Sequence, residues 1–293
     1  MEWKILLYAR RKEPLDIPDD LSKYPMNDFE LDYWRIVNSA PFRRLQDKTQ
    51  VFPLDKSDFV RTRLTHSMET SALAKQLATM ITANIRKNKS GTPYAMTEDE
   101  ARDAANAVMC AGLLHDIGKL KIPTELLNKP GKYTDEEFAQ VRLHTQYGYE
   151  LLKPLPLDAH IKLAALSHHE RCDGTGYPNG LTTNDIDPYA RVVAIADVYD
   201  AMTTARSYRA PLCAFQVIAN FERDGLQKYD TKCVLAFLNR IAGTYQNHRI
   251  LLSDGRSANI VMLNDKQLSR PIVQLDDGSC IDLSTAGDLH IQA

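Results

Sequence analysis

The sequence predicts a mostly α-helical protein that ends in a small antiparallel β-meander. Three capping boxes, in which an Asn or Thr is followed three residues later by Glu, mark helix starts at residues 27–30, 97–100 and 134–137. Apolar residues recur at helical spacing through most of residues 30–243. Residues 244–293 contain short apolar runs separated by turns, and two of these turns are Asp-Gly pairs, which are typical of hairpins.

These patterns divide the chain into three segments. Scattered prolines and a short apolar stretch predict an N-terminal arm over residues 1–30. We expect a helical domain over residues 31–243 and a small β subdomain over residues 244–293. Within the helical domain, the polar segment 86–93 contains Gly and Pro and predicts a loop between two helices.

Composition excludes several classes of protein. The chain has 293 residues and a net charge of −2, so it lacks the basic field that holds duplex nucleic acid by its phosphates. The five cysteines are scattered without a C-x-x-C pair, which argues against a disulfide framework and fits a reducing compartment. The N-terminus has neither a signal-peptide layout nor a membrane span. We therefore expect a cytoplasmic protein without membrane contact, while a protein partner or a homodimer stays possible.

Histidine and aspartate side chains fall on the predicted inner faces of successive helices. Apolar spacing over residues 138–152 predicts one continuous helix with His144 on its inner face, and His115 ends another apolar helix. The complete set is His66, His115, Asp116, His144, His168, His169 and Asp197. A buried carboxylate is costly unless it is paired or bound to a metal ion, and helical bundles build metal sites from facing side chains.

The chemistry of this set points to two metal ions. Nitrogen and oxygen donors without thiolate suit iron, manganese or zinc better than calcium. Seven donors exceed what one ion needs, and two ions that activate water form a clamp for in-line attack at phosphorus. The cations Lys119, Arg206 and Arg209 are placed to bind phosphate near such a pair, although each alone could be a solvated surface charge.

A loop with two glycines and a proline follows the double histidine. It covers residues 173–178 and contains Tyr177. Such a loop can lie close over a ligand, because glycine permits backbone conformations that other residues avoid.

The ordered motifs of residues 105–243 resemble the HD-GYP branch of the HD superfamily. They are HDIGK at 115–119, His144, HHERCDGTGYP at 168–178, ADVYDAMT at 196–203 and RSYR at 206–209. The resemblance implies a helical bundle that holds two or three metal ions, often iron or manganese. It also implies hydrolysis of cyclic di-GMP, or in some members of cyclic GMP-AMP.

The resemblance also implies residue roles. The seven donors above would be the metal ligands, and Lys119, Arg206 and Arg209 would bind the substrate phosphates, with Tyr177 also contacting substrate. Asp200 would orient a ligand or relay a proton, so the catalytic candidates are Asp116, Lys119 and Asp200.

One position departs from the pattern of family members with a third metal. Those members carry Glu four residues before the first histidine ligand, where this chain has Thr62. Threonine is a poor substitute for a carboxylate, so we expect two divalent ions, iron or manganese first among several divalent metals. By the same analogy, the product would be the linear dinucleotide.

A second resemblance covers residues 39–69. The segments SAPFRRLQDKTQVFPL at 39–54 and DFVRTRLTHSME at 58–69 are similar to the opening of bacterial deoxyguanosine triphosphate triphosphohydrolases. The double histidine and the GYP loop favour the cyclic dinucleotide phosphodiesterase. Three alternatives stay open: a deoxynucleoside triphosphate triphosphohydrolase, a non-catalytic cyclic dinucleotide sensor, and a scaffold that binds a partner through its β-meander.

Overall fold

A computed structural model of the chain describes residues 27–47, 62–89, 95–204 and 211–292. The described residues form two compact units that divide after Asp200. Helices make up the first unit, and the second unit combines helices with a four-stranded antiparallel sheet. The predicted fold class is thereby confirmed, while most of the predicted N-terminal arm lies outside the described residues.

The first unit contains nine described helices, the last of which extends into the second unit. They are α1 (Asp28–Asn38), α2 (Ala40–Arg43), α3 (Arg63–Lys89), α4 (Glu98–Leu114), α5 (Thr124–Leu127), α6 (Asp135–Arg142), α7 (His144–Leu152), α8 (Ala159–Ser167) and α9 (Pro188–Thr203). Two 3₁₀ helices cover Arg44–Asp47 and Ile117–Lys121. All three capping boxes are present, at the starts of α1, α4 and α6.

The core of the first unit lies between the helices that carry the predicted metal ligands. Leu77 of α3, Leu113 of α4, Ile161 of α8 and Ile195 of α9 are fully buried. Helix α9 is buried along most of its length, which explains why its sequence is apolar all round rather than on one face. No helix among the described residues has both the length and the apolar character needed to cross a membrane.

Two helix boundaries differ from the sequence prediction. The expected single helix over residues 138–152 is broken at Leu143 into α6 and α7. Two side chains form hydrogen bonds with backbone carbonyls at the break. His144 Nδ1 donates to Val141 O at 2.6 Å, and Thr145 Oγ1 donates to Arg142 O at 3.0 Å. Such side-chain bonds compete with the helical ladder for backbone carbonyls.

The second difference concerns residues 86–89, which were expected in a loop. They continue α3 to Lys89. Arg and Lys are good helix formers, so the polar character of this segment marked an exposed helix end rather than a loop.

The second unit continues with short helices and ends in the sheet. Its elements are α10 (Ala214–Asn220), a π-helix (Phe221–Gly225), α11 (Leu226–Lys228), α12 (Thr231–Thr244), β1 (Arg249–Leu251), β2 (Ser257–Met262), β3 (Ile272–Leu275) and β4 (Cys280–Asp282). The strands pair antiparallel in sequence order, as a meander requires. Gly255 and Gly278 have φ angles of 87° and 85° in the two predicted Asp-Gly turns.

A histidine–aspartate pair joins the starts of α8 and α9. His160 Nδ1 lies 2.6 Å from Asp187 Oδ2, and the His160 ring packs on Tyr189 with ring centroids 4.8 Å apart. Asp187 Oδ1 also accepts from the backbone N–H of Tyr189. Burial opposes protonation of His160, but the hydrogen bond and the charge of Asp187 outweigh it and raise its pKa above the ordinary 6.5.

This pair predicts a pH-dependent contribution to stability. A raised folded pKa means that protonated His160 stabilises the fold below the unfolded pKa, and that the contribution is lost as pH rises through the folded pKa. We expect His160→Gln to lower the thermal unfolding midpoint more at about pH 6 than at about pH 8.5. Thermal unfolding of both proteins at both pH values measures the difference. The exposed His248→Gln is the control, and an equal deficit at both pH values would contradict the prediction.

Candidate metal centre

All seven predicted metal ligands lie in one cluster of the first unit. His66 lies in the first turn of α3, His115 and Asp116 follow α4, and His144 begins α7. His168 and His169 follow α8, and Asp197 lies within α9. Six of them form two overlapping groups whose donor atoms lie within 4.8 Å of one another: Asp116, His144, His168 and His169 in one, and His66, His115 and Asp116 in the other. Asp197 adjoins both groups, with Oδ1 3.1 Å from His66 Nε2 and Oδ2 3.9 Å from His169 Nδ1. The structure thus brings the seven predicted residues together, while the role of each residue stays a prediction.

Backbone carbonyls fix the orientation of three of the imidazoles. The pairs are His115 Nδ1 with Gly112 O at 2.7 Å, His144 Nδ1 with Val141 O at 2.6 Å, and His168 Nδ1 with Ala164 O at 3.1 Å. A carbonyl oxygen can only accept, so each Nδ1 holds a proton and each neutral ring presents an Nε2 lone pair. Metal-binding histidines are held in this way in many proteins.

The Nε2 lone pairs converge without a donor between them. His144 Nε2 and His168 Nε2 are 3.4 Å apart, and the lone pairs of two acceptors at this distance repel. His115 Nε2 and Asp116 Oδ1 are buried and have no hydrogen-bond partner in the part of the chain that the structure describes. A bound cation would satisfy all four atoms, so the donor set fits a divalent metal ion.

Asp116 connects the two groups of donors. Its Oδ1 lies 3.4 Å from His144 Nε2 and 3.8 Å from His168 Nε2. Its Oδ2 lies 3.6 Å from His115 Nε2 and 3.9 Å from His66 Nε2. Each oxygen of this carboxylate therefore faces a different pair of imidazoles.

Asp197 connects the same two groups from α9. Its Oδ1 is 3.1 Å from His66 Nε2, and its Oδ2 is 3.9 Å from His169 Nδ1. The side chain of Asp197 is 13% exposed, whereas that of Asp116 is 1% exposed, so Asp197 lies on the more open side of the cluster.

Electrostatics keep both carboxylates ionised. Burial opposes their ionisation, but for Asp116 the charges of Lys119 and the imidazoles outweigh it and hold the pKa well below its usual range. A hydrogen bond with His66 and the neighbouring imidazoles do the same for the pKa of Asp197. Burial lowers the pKa of His144 far below its ordinary value, so this ring stays neutral. Burial also lowers the pKa of His115 and His168, whereas hydrogen bonds with Asp197 and Asp200 outweigh burial and raise the pKa of His66. Ionised carboxylates beside neutral imidazoles are the charge state that a divalent cation prefers.

The predicted catalytic residues Asp200 and Lys119 both contact the cluster. Asp200 Oδ2 lies 2.6 Å from His66 Nδ1 and can hold its Nε2 toward the other donors. Lys119 Nζ forms an ion pair with Asp116, and its side chain is 14% exposed, so it lies between the buried cluster and solvent. Burial lowers the pKa of Lys119, and the charge of the buried Arg63 lowers it further. Arg206 and Arg209, the other predicted phosphate-binding residues, lie outside the described residues.

Thr62 has a structural task at the start of α3. Its Oγ1 accepts from the backbone N–H of Thr65 at 3.3 Å, and its carbonyl accepts from the N–H of His66 at 3.1 Å. The side chain therefore caps the helix that carries His66. The expectation that this position supplies no metal ligand stays a prediction.

Sequence reasoning missed the function of Glu170. This carboxylate is 2% exposed and accepts from the backbone N–H groups of Asn179 at 2.7 Å and Leu181 at 2.9 Å. It thereby fixes the far side of the loop that contains Tyr177. The sequence does contain a signal for this role, because the acidic Glu170 lies between the double histidine and the glycine-rich loop.

The loop itself lies against the histidines. A Cβ atom on Gly176 would be 2.5 Å from the Cα of Glu170, so only glycine allows this approach. The backbone N–H of Tyr177 donates to His169 O at 3.2 Å, and the two rings lie 4.8 Å apart at 34°. Tyr177 therefore covers one side of the cluster, while its predicted contact with substrate stays a prediction.

Comparisons with known proteins agree with this site. A family profile described as HD domain matches residues 65–233, more than half of the chain. The chain therefore belongs to the HD domain family.

Curated relatives fall into two groups. The chain is 49% identical over 118 residues to a deoxyguanosinetriphosphate triphosphohydrolase-like protein of Listeria innocua, covering 40% of this chain and 25% of that protein. It is 39% identical over 167 residues to a cyclic di-GMP phosphodiesterase of Pseudomonas aeruginosa, covering 56% and 40%. It is 43% identical over 120 residues to a 3'3'-cGAMP-specific phosphodiesterase of Vibrio cholerae, covering 40% and 22%. The chain thus spans less than half the length of these relatives.

Metal counting tests the division of donors between two groups. Removing His66 takes a ligand from one group, whereas removing Asp116 takes a ligand from both. We expect about two ions per chain in the unaltered protein, about one in His66→Ala and close to none in Asp116→Ala. Elemental analysis after anaerobic purification measures these values, with the exposed His248→Ala as control. Full metal content in Asp116→Ala would contradict the shared role of this carboxylate.

Gly118 lets the 3₁₀ helix that follows Asp116 lie against α7. A Cβ atom at this position would be 1.9 Å from His144 O and 2.4 Å from the backbone nitrogen of Gly148. Both atoms belong to a helix backbone, so a side chain at residue 118 would push His144 away from Asp116.

We expect Gly118→Ala to lower the unfolding free energy by about 3 kcal/mol. Metal content should fall as well, although Gly118 is not a ligand, because His144 would shift. Chemical denaturation and elemental analysis measure the two effects. Gly243→Ala in α12 is the matched control, since a Cβ atom there meets nothing within 4 Å. Unchanged stability and metal content in Gly118→Ala would show that the backbones can separate without cost.

Proposed function

We propose that this chain is a metal-dependent phosphodiesterase of the HD-GYP kind that hydrolyses a cyclic dinucleotide, with cyclic di-GMP as the first candidate. The position of Asp116 carries the proposal, because its two oxygens face two separate pairs of imidazole lone pairs. Such a shared carboxylate suits a pair of divalent ions, and metal pairs are common at sites of phosphoryl chemistry. The relatives named as cyclic di-GMP and 3'3'-cGAMP phosphodiesterases support the substrate class.

The seven donors would hold the two ions, with iron or manganese as the first candidates. His66 and His115 would face one ion, and His144, His168 and His169 would face the other, while Asp116 and Asp197 would contact both. Bound there, the ions supply Lewis-acid activation of the phosphodiester and of a water molecule.

The chain's own residues would position the substrate. The ammonium of Lys119 lies at the edge of the cluster and can donate to a non-bridging phosphate oxygen. Asp200 would keep Nε2 of His66 directed at the cluster. Tyr177 would limit access of water from the loop side, and Arg206 and Arg209 would bind the second phosphate. With Thr62 used as a helix cap, we expect the reaction to end at the linear dinucleotide.

A second candidate function is hydrolysis of a deoxynucleoside triphosphate. The observation in its favour is the 49% identity to a deoxyguanosinetriphosphate triphosphohydrolase-like protein. The same cluster could activate water for attack on a triphosphate, since both reactions displace an oxygen from phosphorus. Product identity, not metal content, separates the two functions.

Product analysis tests both candidates in one experiment. Protein purified without oxygen and loaded with iron or manganese is incubated separately with cyclic di-GMP, cyclic GMP-AMP, cyclic di-AMP and dGTP. We expect linear dinucleotide from cyclic di-GMP or cyclic GMP-AMP, detected by chromatography and mass spectrometry. Asp116→Ala is the negative control, because loss of a shared ligand should abolish the reaction. Tripolyphosphate from dGTP, with the cyclic substrates intact, would replace the first candidate by the second.

A further inference from the structure

An aromatic and cationic cluster lies beside the metal ligands. Phe138 and Arg142 are four residues apart on α6, and the Arg142 guanidinium carbon is 4.4 Å from the centre of the Phe138 ring. The same carbon is 4.9 Å from the centre of the Tyr177 ring, and the rings of Phe138 and Tyr177 meet edge to face at 6.2 Å. We refer to Phe138, Arg142 and Tyr177 as the aromatic platform.

The platform adjoins the metal centre through Tyr177. The Tyr177 ring is 4.8 Å from the His169 ring and 6.5 Å from the His144 ring. A nucleotide whose phosphate lies over the donors therefore has the platform within reach of its base.

The platform is open to a ligand. Phe138 keeps 38% of its surface exposed although it is a large apolar residue on a short helix. Arg142 is exposed as well, and no carboxylate lies within ion-pair distance of it among the described residues. Within the described part of the chain, its guanidinium contacts the Phe138 and Tyr177 rings, and its N–H groups stay available to a ligand.

Helix α6 holds the platform in a fixed position. Thr134 and Glu137 form a capping box at its start, and Glu137 also accepts from Lys129 Nζ at 2.7 Å. Phe138 and Arg142 follow on the next turns. A ring and a guanidinium that are already ordered lose little side-chain entropy when a ligand binds.

We propose that the aromatic platform binds one purine base of the substrate and favours guanine. The proposal rests on the proposed function, because it needs a nucleotide phosphate at the metal centre. Bases stack on aromatic side chains, which accounts for Phe138. Arginine N–H groups also match the two acceptors of guanine, O6 and N7, whereas adenine presents a donor in place of O6. Arg142 would thus discriminate between the two purines.

Three variants separate ring, bulk and charge. Phe138→Leu keeps an apolar side chain but removes the ring, Phe138→Trp keeps a ring, and Arg142→Gln removes the cation. We expect Phe138→Leu to raise KM for cyclic di-GMP about 10-fold, with a smaller effect on kcat. Phe138→Trp should keep KM close to the wild-type value, because it retains an aromatic ring. Arg142→Gln should reduce the preference for cyclic di-GMP over cyclic di-AMP about 10-fold.

The controls separate failure of the platform from failure of the proposed function. Arg102→Gln, an exposed arginine of α4 paired with Asp99, should keep wild-type kinetics. Metal content and unfolding temperature of each variant establish that the site is intact. If the wild-type protein hydrolyses neither cyclic dinucleotides nor methyl p-nitrophenyl phosphate, both the proposed function and the base-binding role of the platform are wrong. If the wild-type protein is active and Phe138→Leu has an unchanged KM, the platform alone is wrong.

Discussion

The buried carboxylate of Asp116 is the constraint on which the first unit depends. An isolated ionised carboxylate at this depth would be very costly, so its surroundings must supply positive charge or hydrogen-bond donors. Lys119 supplies one charge from the next turn, but Oδ1 has no hydrogen-bond partner among the described residues. The imidazoles around it offer lone pairs rather than protons, and therefore cannot satisfy it. A cation between these acceptors resolves the conflict, which is why the cluster makes physical sense as a metal centre.

Several parts of the fold position the Asp116 carboxylate and the donors around it. Helix α4 is buried to its end, so the residues that follow it enter the core together. The 3₁₀ helix that begins after Asp116 lies against α7 only because residue 118 has no side chain. The pair of His160 and Asp187 joins the starts of α8 and α9; His168 directly follows α8 and Asp197 lies within α9. Local sequence and helix packing therefore together determine where the donor atoms of the cluster lie.

Local periodicity was enough to single out several of the candidate donors, while their role as metal ligands stays a prediction. His115 continues an inward helix face, and the double histidine ends an apolar helix, so a one-dimensional pattern was enough to place them. Glu170 and Arg142 were missed because their roles depend on contacts across elements, with Asn179 and Leu181 for the first and the Tyr177 ring for the second. The break between α6 and α7 was missed for a related reason: side chains of α7 bond the last carbonyls of α6, and helical periodicity does not register such bonds.

The relatives are named for two different activities, so the residues at the edge of the cluster are the place to look for a difference in substrate. Imidazoles and carboxylates that hold divalent ions would activate water equally well beside a diester or a triphosphate, because both substrates present non-bridging phosphate oxygens. What differs between these substrates is the number of phosphates, the shape of the sugar backbone and the position of the base. Under the proposed function, groups at the edge of the cluster such as Lys119, Tyr177 and the α6 residues that contact Tyr177 would respond to those differences. Under the proposed function, substrate choice would depend on the loop after the double histidine and on α6, while the cluster would activate the phosphorus for attack in either class of substrate.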